Sequence, residues 1–192
     1  MKEQLDLFIR HNLKNPKEEE ISDILEIFQL KHFQKGDYFK QEDRICQKLG
    51  FILEGSMQHC VIKQNGEEVT LRVSKKNAFV TELLSMRTKE KTPIAIKVLE
   101  PTTVLVASEE DISRLTEINL TLNRLLREFM ADSVEKQAKL YLLFLTGTAQ
   151  ERYRFIIESN PELLKKFPLR FIANMIGITP TQLSRIRNKK QH

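Results

Sequence analysis

Apolar and polar residues follow two rhythms along this chain, and the places where the rhythm changes divide it. Over residues 1–32 apolar positions recur at helical steps (Ile21, Ile24, Leu25, Ile27 and Phe28 in the second half), with a charged break at Asn15-Pro-Lys-Glu-Glu-Glu20. This predicts two packed helices. From Lys31 the period shortens to that of strands, with turns at Gly36-Asp37 and apolar runs over 49–56 and 57–62. Asn65-Gly66 predicts a hairpin with a type I′ turn, because both residue types tolerate positive φ. Beyond it Val69, Leu71 and Val73 alternate with Glu68, Thr70 and Arg72, which predicts a strand with the first set inward and the second in water. A further strand stretch covers 93–107, with a corner at Pro101-Thr102. Several short antiparallel strands with regular turns predict a small β-barrel or jelly roll.

Ser108-Glu-Glu-Asp111 then opens a helical stretch that runs to about Leu145. Along it Leu122, Leu126, Phe129, Ser133, Gln137, Leu140 and Phe144 form a stripe suited to a partner helix. The stripe reads as a dimer interface; the alternative is packing against the chain's own β region. Thr146-Gly147-Thr148 breaks the pattern as a hinge. The overall class is α+β, divided into a sensor domain (1–116), a dimerisation helix with hinge (117–146) and a C-terminal domain (147–192). With 192 residues and 41% hydrophobic content, the chain can bury one sizeable core and a smaller second one.

The C-terminal domain holds the clearest functional signal. Leu169 to Ile176 and Pro180 to Lys190 read as two short helices around Gly177, the layout of a helix-turn-helix. Thr179 caps the second helix, Pro180 suits its first position, and Gln182 completes a capping box. Ile172, Ala173, Ile176, Ile178, Leu183 and Ile186 form the apolar side. That leaves Thr181, Gln182, Ser184, Arg185 and Asn188 able to hydrogen-bond base edges, with Arg187, Lys189 and Lys190 placed for phosphates. Charge agrees: residues 149–192 carry nine Lys/Arg against three Asp/Glu, while residues 1–148 are nearly neutral at 22 against 23. Such a basic end is the footprint of a phosphate-contacting module, or, in the plainer reading, a solvated tail.

Other chemistry finds little support. Cys46 and Cys60 are the only cysteines and have no partners at metal-ligand spacing, and the four histidines are scattered, so no metal is expected. No nucleophile–base set, carboxylate pair or glycine-rich phosphate loop can be assembled, so the chain is not expected to be an enzyme. Met1-Lys-Glu-Gln-Leu-Asp-Leu-Phe-Ile-Arg10 lacks a signal-peptide core and Leu140-Tyr-Leu-Leu-Phe-Leu145 is too short to span a bilayer. A cytoplasmic protein without membrane contact is expected.

Strand region, long helix, threonine–glycine hinge and helix-turn-helix, in that order, resemble the cyclic-AMP receptor protein and fumarate–nitrate reduction regulator family of bacterial transcription factors. Gly36-Asp37, Phe51-Ile-Leu-Glu-Gly-Ser56, Glu135-Lys136 followed by Thr146-Gly147, and the helix-turn-helix carry the resemblance. It implies a sensor of the cyclic-nucleotide-binding type and a homodimer that reads a palindrome in double-stranded DNA through two recognition helices. RNA polymerase is implied as a further partner, and Arg185 matches the arginine that reads guanine. The wing is reduced, since Asn160-Pro-Glu-Leu-Leu-Lys-Lys-Phe-Pro168 reads as a helical turn rather than a hairpin; Lys165 and Lys166 there are candidates for phosphate contact.

The implied ligand site is Ala78-Phe-Val-Thr-Glu-Leu-Leu84 with Lys91-Thr-Pro-Ile-Ala95, and it departs from the family where the phosphate would sit. Glu82, followed by Leu83, matches the ribose-binding glutamate. Thr81 stands at the glycine and Thr92-Pro93 at the arginine–serine pair, so the phosphate loses its bidentate partner; Lys89 or Lys91 offers only a point charge. Ser133 matches a helix position that touches the base. These departures weigh against cyclic AMP, and no cofactor is assigned. The competing function is a ligand-gated module that docks a protein partner with its C-terminal helices.

Overall fold

The computed structural model describes residues 1–188 of the chain. It divides into two compact units, Met1–Met130 and a second that begins at Ala131. In the first unit α1 (Glu3–Asn12) and α2 (Glu18–Ile27) precede β1 (Gln29–Phe33), β2 (Tyr38–Lys40), β3 (Lys48–Glu54), β4 (Ser56–Ile62), β5 (Glu68–Lys75) and β6 (Phe79–Val80). Then come α3 (Leu83–Thr88), β7 (Ile94–Val98), β8 (Thr102–Ser108), α4 (Glu109–Thr116) and the start of α5 (Leu120–Thr146). The strands form two four-stranded antiparallel sheets, ordered β1-β8-β3-β6 and β2-β7-β4-β5. Of the two architectures expected, the closed barrel is not the one formed. Edge strands of two and three residues, β6 and β2, offer too few backbone groups to zip the sheets together, and the result is the double-sheet arrangement of a jelly roll.

Burial explains the strand sequences. Phe39, Ile52, Met57, Val80, Ile96, Val98 and Val104 come from both sheets and fill the space between them. The other face of the first sheet is covered by helices, so Leu49, Phe51, Leu53 and Leu105 pack with Leu5, Ile9, Ile21, Ile24, Phe28, Ile112, Leu122 and Leu125. β3 is therefore apolar on both faces, as a strand covered on both sides must be. Phe8, Phe51, Phe79 and Phe129 form a connected ring cluster with centroids 5.0–5.7 Å apart, joining α1, β3, β6 and α5.

Four expectations are corrected. In β5 it is Thr70 and Ser74 that are buried, while Leu71 is exposed. A register shift between His59 and Cys60 opposite this strand inserts an extra residue, so the alternation read from sequence slips by one face. The β4–β5 turn is not type I′: Gly66 has φ +80° but Asn65 is not in the positive-φ region. Instead Gly66 N donates to Lys63 O (2.8 Å) and Lys63 N to Glu67 O (2.9 Å), a three-residue loop closed by a glycine bulge. The helical stretch from Ser108 is two helices, broken at 117–119, because Asn119 Oδ1 accepts from Leu122 N (2.8 Å) and caps α5 while its amide donates to Glu20 O. Lastly, the helix stripe does not form one interface. Leu122, Leu126 and Phe129 pack into the core of the first unit. The apolar residues that α5 leaves exposed are Leu120, Met130, Val134, Tyr141, Leu142, Phe144 and Leu145, and of these Phe144 alone belongs to the stripe.

The second unit contains the rest of α5, then α6 (Ala149–Ser159), α7 (Leu163–Lys166), α8 (Leu169–Met175) and α9 (Pro180–Asn188). A capping box between Thr148 and Glu151 starts α6. Among the described residues this unit has no strand, and the segment 160–168 forms α7 where a hairpin wing would stand. Tyr153, Ile156, Leu163, Ile172, Ala173, Met175, Ile176 and Leu183 are its buried apolar side chains. Arg152 ties the unit together: its Nε donates to Ile176 O (3.0 Å), its Nη1 to Gly147 O (3.0 Å), and its guanidinium lies over the Phe144 ring.

Candidate functional site

The segment after β6 and the start of β7 meet in the first unit, bringing Thr81, Glu82 and Thr92 together. Glu82 precedes α3 and caps it, its two carboxylate oxygens accepting from Leu84 N (3.2 Å) and Ser85 N (2.9 Å). The second of these oxygens also accepts from the Thr92 hydroxyl at 2.8 Å. Thr92 in turn accepts from the buried ammonium of Lys40 at 2.7 Å, and Lys40 also donates to Thr92 O and Ile94 O (3.1 and 2.6 Å). Burial lowers the Lys40 pKa, and the charge of Glu82 opposes that shift. A chain from ammonium through hydroxyl to carboxylate thus neutralises the site internally. The Thr81 hydroxyl donates to Lys48 O (2.9 Å). Leu83 is half-buried at the start of α3, and Pro93 is exposed. Ser133 is buried on α5 within the second unit.

The cations considered as stand-ins for the missing arginine are otherwise engaged or outside. Lys89 pairs with Glu109, and Lys91 is exposed. Sequence reasoning missed three polar residues of this interior, Lys40, His59 and Arg72. His59 lies on the β4 face that also carries Met57, and it is 3% exposed. Burial, then the charge of Arg72, pushes its pKa down to about 3, so the ring is neutral. Paired register was the missing signal: Arg72 faces His59 across the β4–β5 ladder, which places it inside. An open groove of about 620 Å³ beside β2 is lined in part by Phe33, Tyr38, Phe39, Lys40, Arg44 and Lys48, with Lys48 Nζ 4.7 Å above the Phe39 ring. Cys46 and Cys60 are both buried, and burial pushes the Cys60 thiol up to about 11.

In the second unit the capping box read from sequence forms. Gln182 N donates to Thr179 Oγ1 (3.2 Å) and Thr179 N to Gln182 Oε1 (2.9 Å). Gly177, at φ +69°, makes the turn, and Ile178 N reaches back to Ala173 O. Leu183 is fully buried, while Thr181, Gln182, Ser184, Arg185, Arg187 and Asn188 are all exposed. Lys189 and Lys190 lie outside the described residues. In the wing segment Lys165 pairs with Glu162. Among the described residues no group of three His, Cys, Asp or Glu side chains is placed to hold a metal ion, and no helix is long and apolar enough to cross a membrane.

Residues 30–119 match the family model for the cyclic nucleotide-binding domain. No curated protein matches the chain. Among solved structures it is similar to FixK2 from Bradyrhizobium japonicum (16% identity, 86% of this chain and 85% of that one, TM-score 0.73). It is also similar to CLP, the c-di-GMP responsive global regulator of Xanthomonas campestris (12% identity, 91% and 92% covered, TM-score 0.68). A third similar structure is the Thermus thermophilus catabolite activator protein (18% identity, 95% and 85% covered, TM-score 0.58). At these identities the likeness is one of fold. Residues 30–119 thus match the cyclic nucleotide-binding domain, and the chain around them has a fold similar to those of FixK2, CLP and the catabolite activator protein.

Proposed function

We propose that this protein is a sequence-specific DNA-binding transcription regulator that acts as a homodimer on a palindromic site, with α8 and α9 as its helix-turn-helix. The observation that carries the reading is α9: one buried leucine anchors it, and its other polar and basic side chains point to solvent within a segment of net positive charge. Regulation of gene expression by CLP, which has the same fold, supports it. Met130, Val134, Tyr141 and Leu145, spaced along one side of α5, are proposed as the dimer seam, replacing the stripe expected from sequence. The sensor is proposed to work without cyclic AMP. Glu82 and Thr92, the groups that would hold ribose and phosphate, are spent on α3 and Lys40.

The test is selection from a random double-stranded DNA library by the purified protein without added nucleotide. Enrichment of a two-fold palindrome is expected. Arg185→Ala should relax the sequence preference, costing about 1–3 kcal/mol at one base position, whereas Arg187→Ala should weaken all sequences alike and lower the salt slope by about 1. Retention that is weak, indifferent to sequence and unchanged in both variants refutes the reading in favour of a protein-docking role for the C-terminal helices.

A further inference from the structure

Thr146-Gly147-Thr148, expected from sequence to be a hinge, is held at every residue. Thr146 Oγ1 donates to Leu142 O (2.9 Å), Gly147 N donates to Leu143 O (3.0 Å), and Thr148 is engaged in the capping box of α6. One side chain then ties this link to the helix-turn-helix. Arg152 Nη1 donates to Gly147 O, just past the end of α5, and Arg152 Nε donates to the carbonyl of Ile176, the residue that ends α8, both at 3.0 Å. The last carbonyls of a helix have no partner within it and lie at the negative end of its dipole, so a half-buried guanidinium joining two such ends is favoured both as donor and as charge. Phe144, on the last turn of α5, completes the joint. The guanidinium carbon lies 5.1 Å from its ring centroid, and a Cβ on Gly177 would come within 3.3 Å of the same ring. A planar fork fixes the direction as well as the distance of the carbonyls it joins, which an ammonium on a rotatable stem does not.

We infer that Arg152 is a positioning residue for DNA recognition: by clamping the turn before α9 to the end of α5, it sets the spacing between half-sites that the dimer accepts. The inference rests on the dimer and the recognition helix proposed above and adds what fixes their geometry. When two copies pair along α5, the separation and phase of their α9 helices follow from how each α9 is held to its own α5. One base pair more or less between half-sites moves the second by about 3.4 Å along the duplex and about 35° around it. A joint free to swing absorbs such a change, whereas a clamped one rejects it. Arg152 exerts this selectivity without touching DNA itself.

The experiment uses the full chain. Duplexes carrying the selected half-sites at the selected spacing, or with one base pair inserted or removed, compete for the protein. Loss of folded protein lowers binding to all three alike, so the ratio between spacings reports the joint and not stability. The wild type should favour one spacing by about tenfold or more, and Arg152→Lys, which keeps the charge but not the fork, should reduce this to about threefold or less. Phe144→Leu, which removes the ring beside the guanidinium, is the second variant and should move the ratio the same way. A readout free of DNA comes from spin labels on Leu142→Cys and Ser184→Cys, both exposed positions, in protein diluted with unlabelled chain; Cys46 and Cys60 are buried. The distance distribution within one chain should be narrow with Arg152 in place and broaden in Arg152→Lys. A spacing ratio or a width that is unchanged in both variants overturns the inference even where the palindrome is bound. If no half-site is selected, the spacing role falls with the reading of α9, while a width that still responds leaves the clamp standing.

Discussion

Acidification should destabilise the protein through His59, and the size of the effect follows from where that ring sits. Its pKa falls from 6.5 to about 3 on folding, because burial disfavours the imidazolium and Arg72 repels it. Lys40 adds to the repulsion, and the Thr81 carbonyl near Nε2 opposes it. The folded state therefore binds this proton less readily than the unfolded chain. Above the unfolded pKa the group has no effect on stability; as pH falls through the window from 6.5 to about 3, stability is lost at up to about 1.4 kcal/mol per unit. At about pH 5 the accumulated loss is about 2 kcal/mol. For a chain of this size that is roughly 4–8 °C in melting temperature. Thermal melts of the wild type and of His59→Gln, whose amide oxygen still accepts from Arg72, should therefore diverge as pH drops from about 7 to about 5. Carboxylates protonate in both proteins and cancel in the difference. Parallel curves, with a constant gap between the two proteins, would refute the burial argument.

Thr92→Val removes the hydroxyl that joins Lys40 to Glu82 and leaves two buried charges short of a partner, so chemical denaturation should show a loss of about 1–3 kcal/mol. Gly177→Ala places a Cβ at φ +69°, 3.3 Å from the Phe144 ring, and should cost about 1–3 kcal/mol, read by protease susceptibility of the second unit. Val134→Glu puts a charge in the exposed apolar side of α5; if that side is the dimer seam, sedimentation should shift toward monomer with the circular dichroism unchanged.

The second unit was readable because its determinants are local. Thr179, Pro180, Gln182 and Gly177 lie within six positions of each other, and capping chemistry acts over three or four. The same holds for the Ser108 cap on α4 and the turn at Gly36-Asp37, where Gln34 N meets the Asp37 carboxylate. What sequence did not disclose depends on partners far along the chain. The end of one helix and start of another at Asn119 is fixed by Glu20, and the inward turn of Arg72 by the extra residue Leu71 in β5. The candidate ligand residues were legible as a group, since Thr81, Glu82 and Thr92 do meet, but their occupation by Lys40 was not. Lys40 reads as an ordinary charged strand end until its ammonium is placed among three acceptors.

The sheet order also sets a timetable for synthesis. β1 pairs only with β8, Gln29 lying opposite Val106, so the first strand of its sheet to leave the ribosome has no partner until nearly the last is made. At about 5–20 residues per second that interval is roughly 4–15 s. Throughout it Phe28 and Leu30 are displayed on a nascent chain with no sheet to receive them, whereas β4 and β5 zip as a hairpin as soon as both emerge. The second sheet can thus begin forming on the ribosome while the first waits, and that wait is when β1 is open to chaperones and to strands of neighbouring chains.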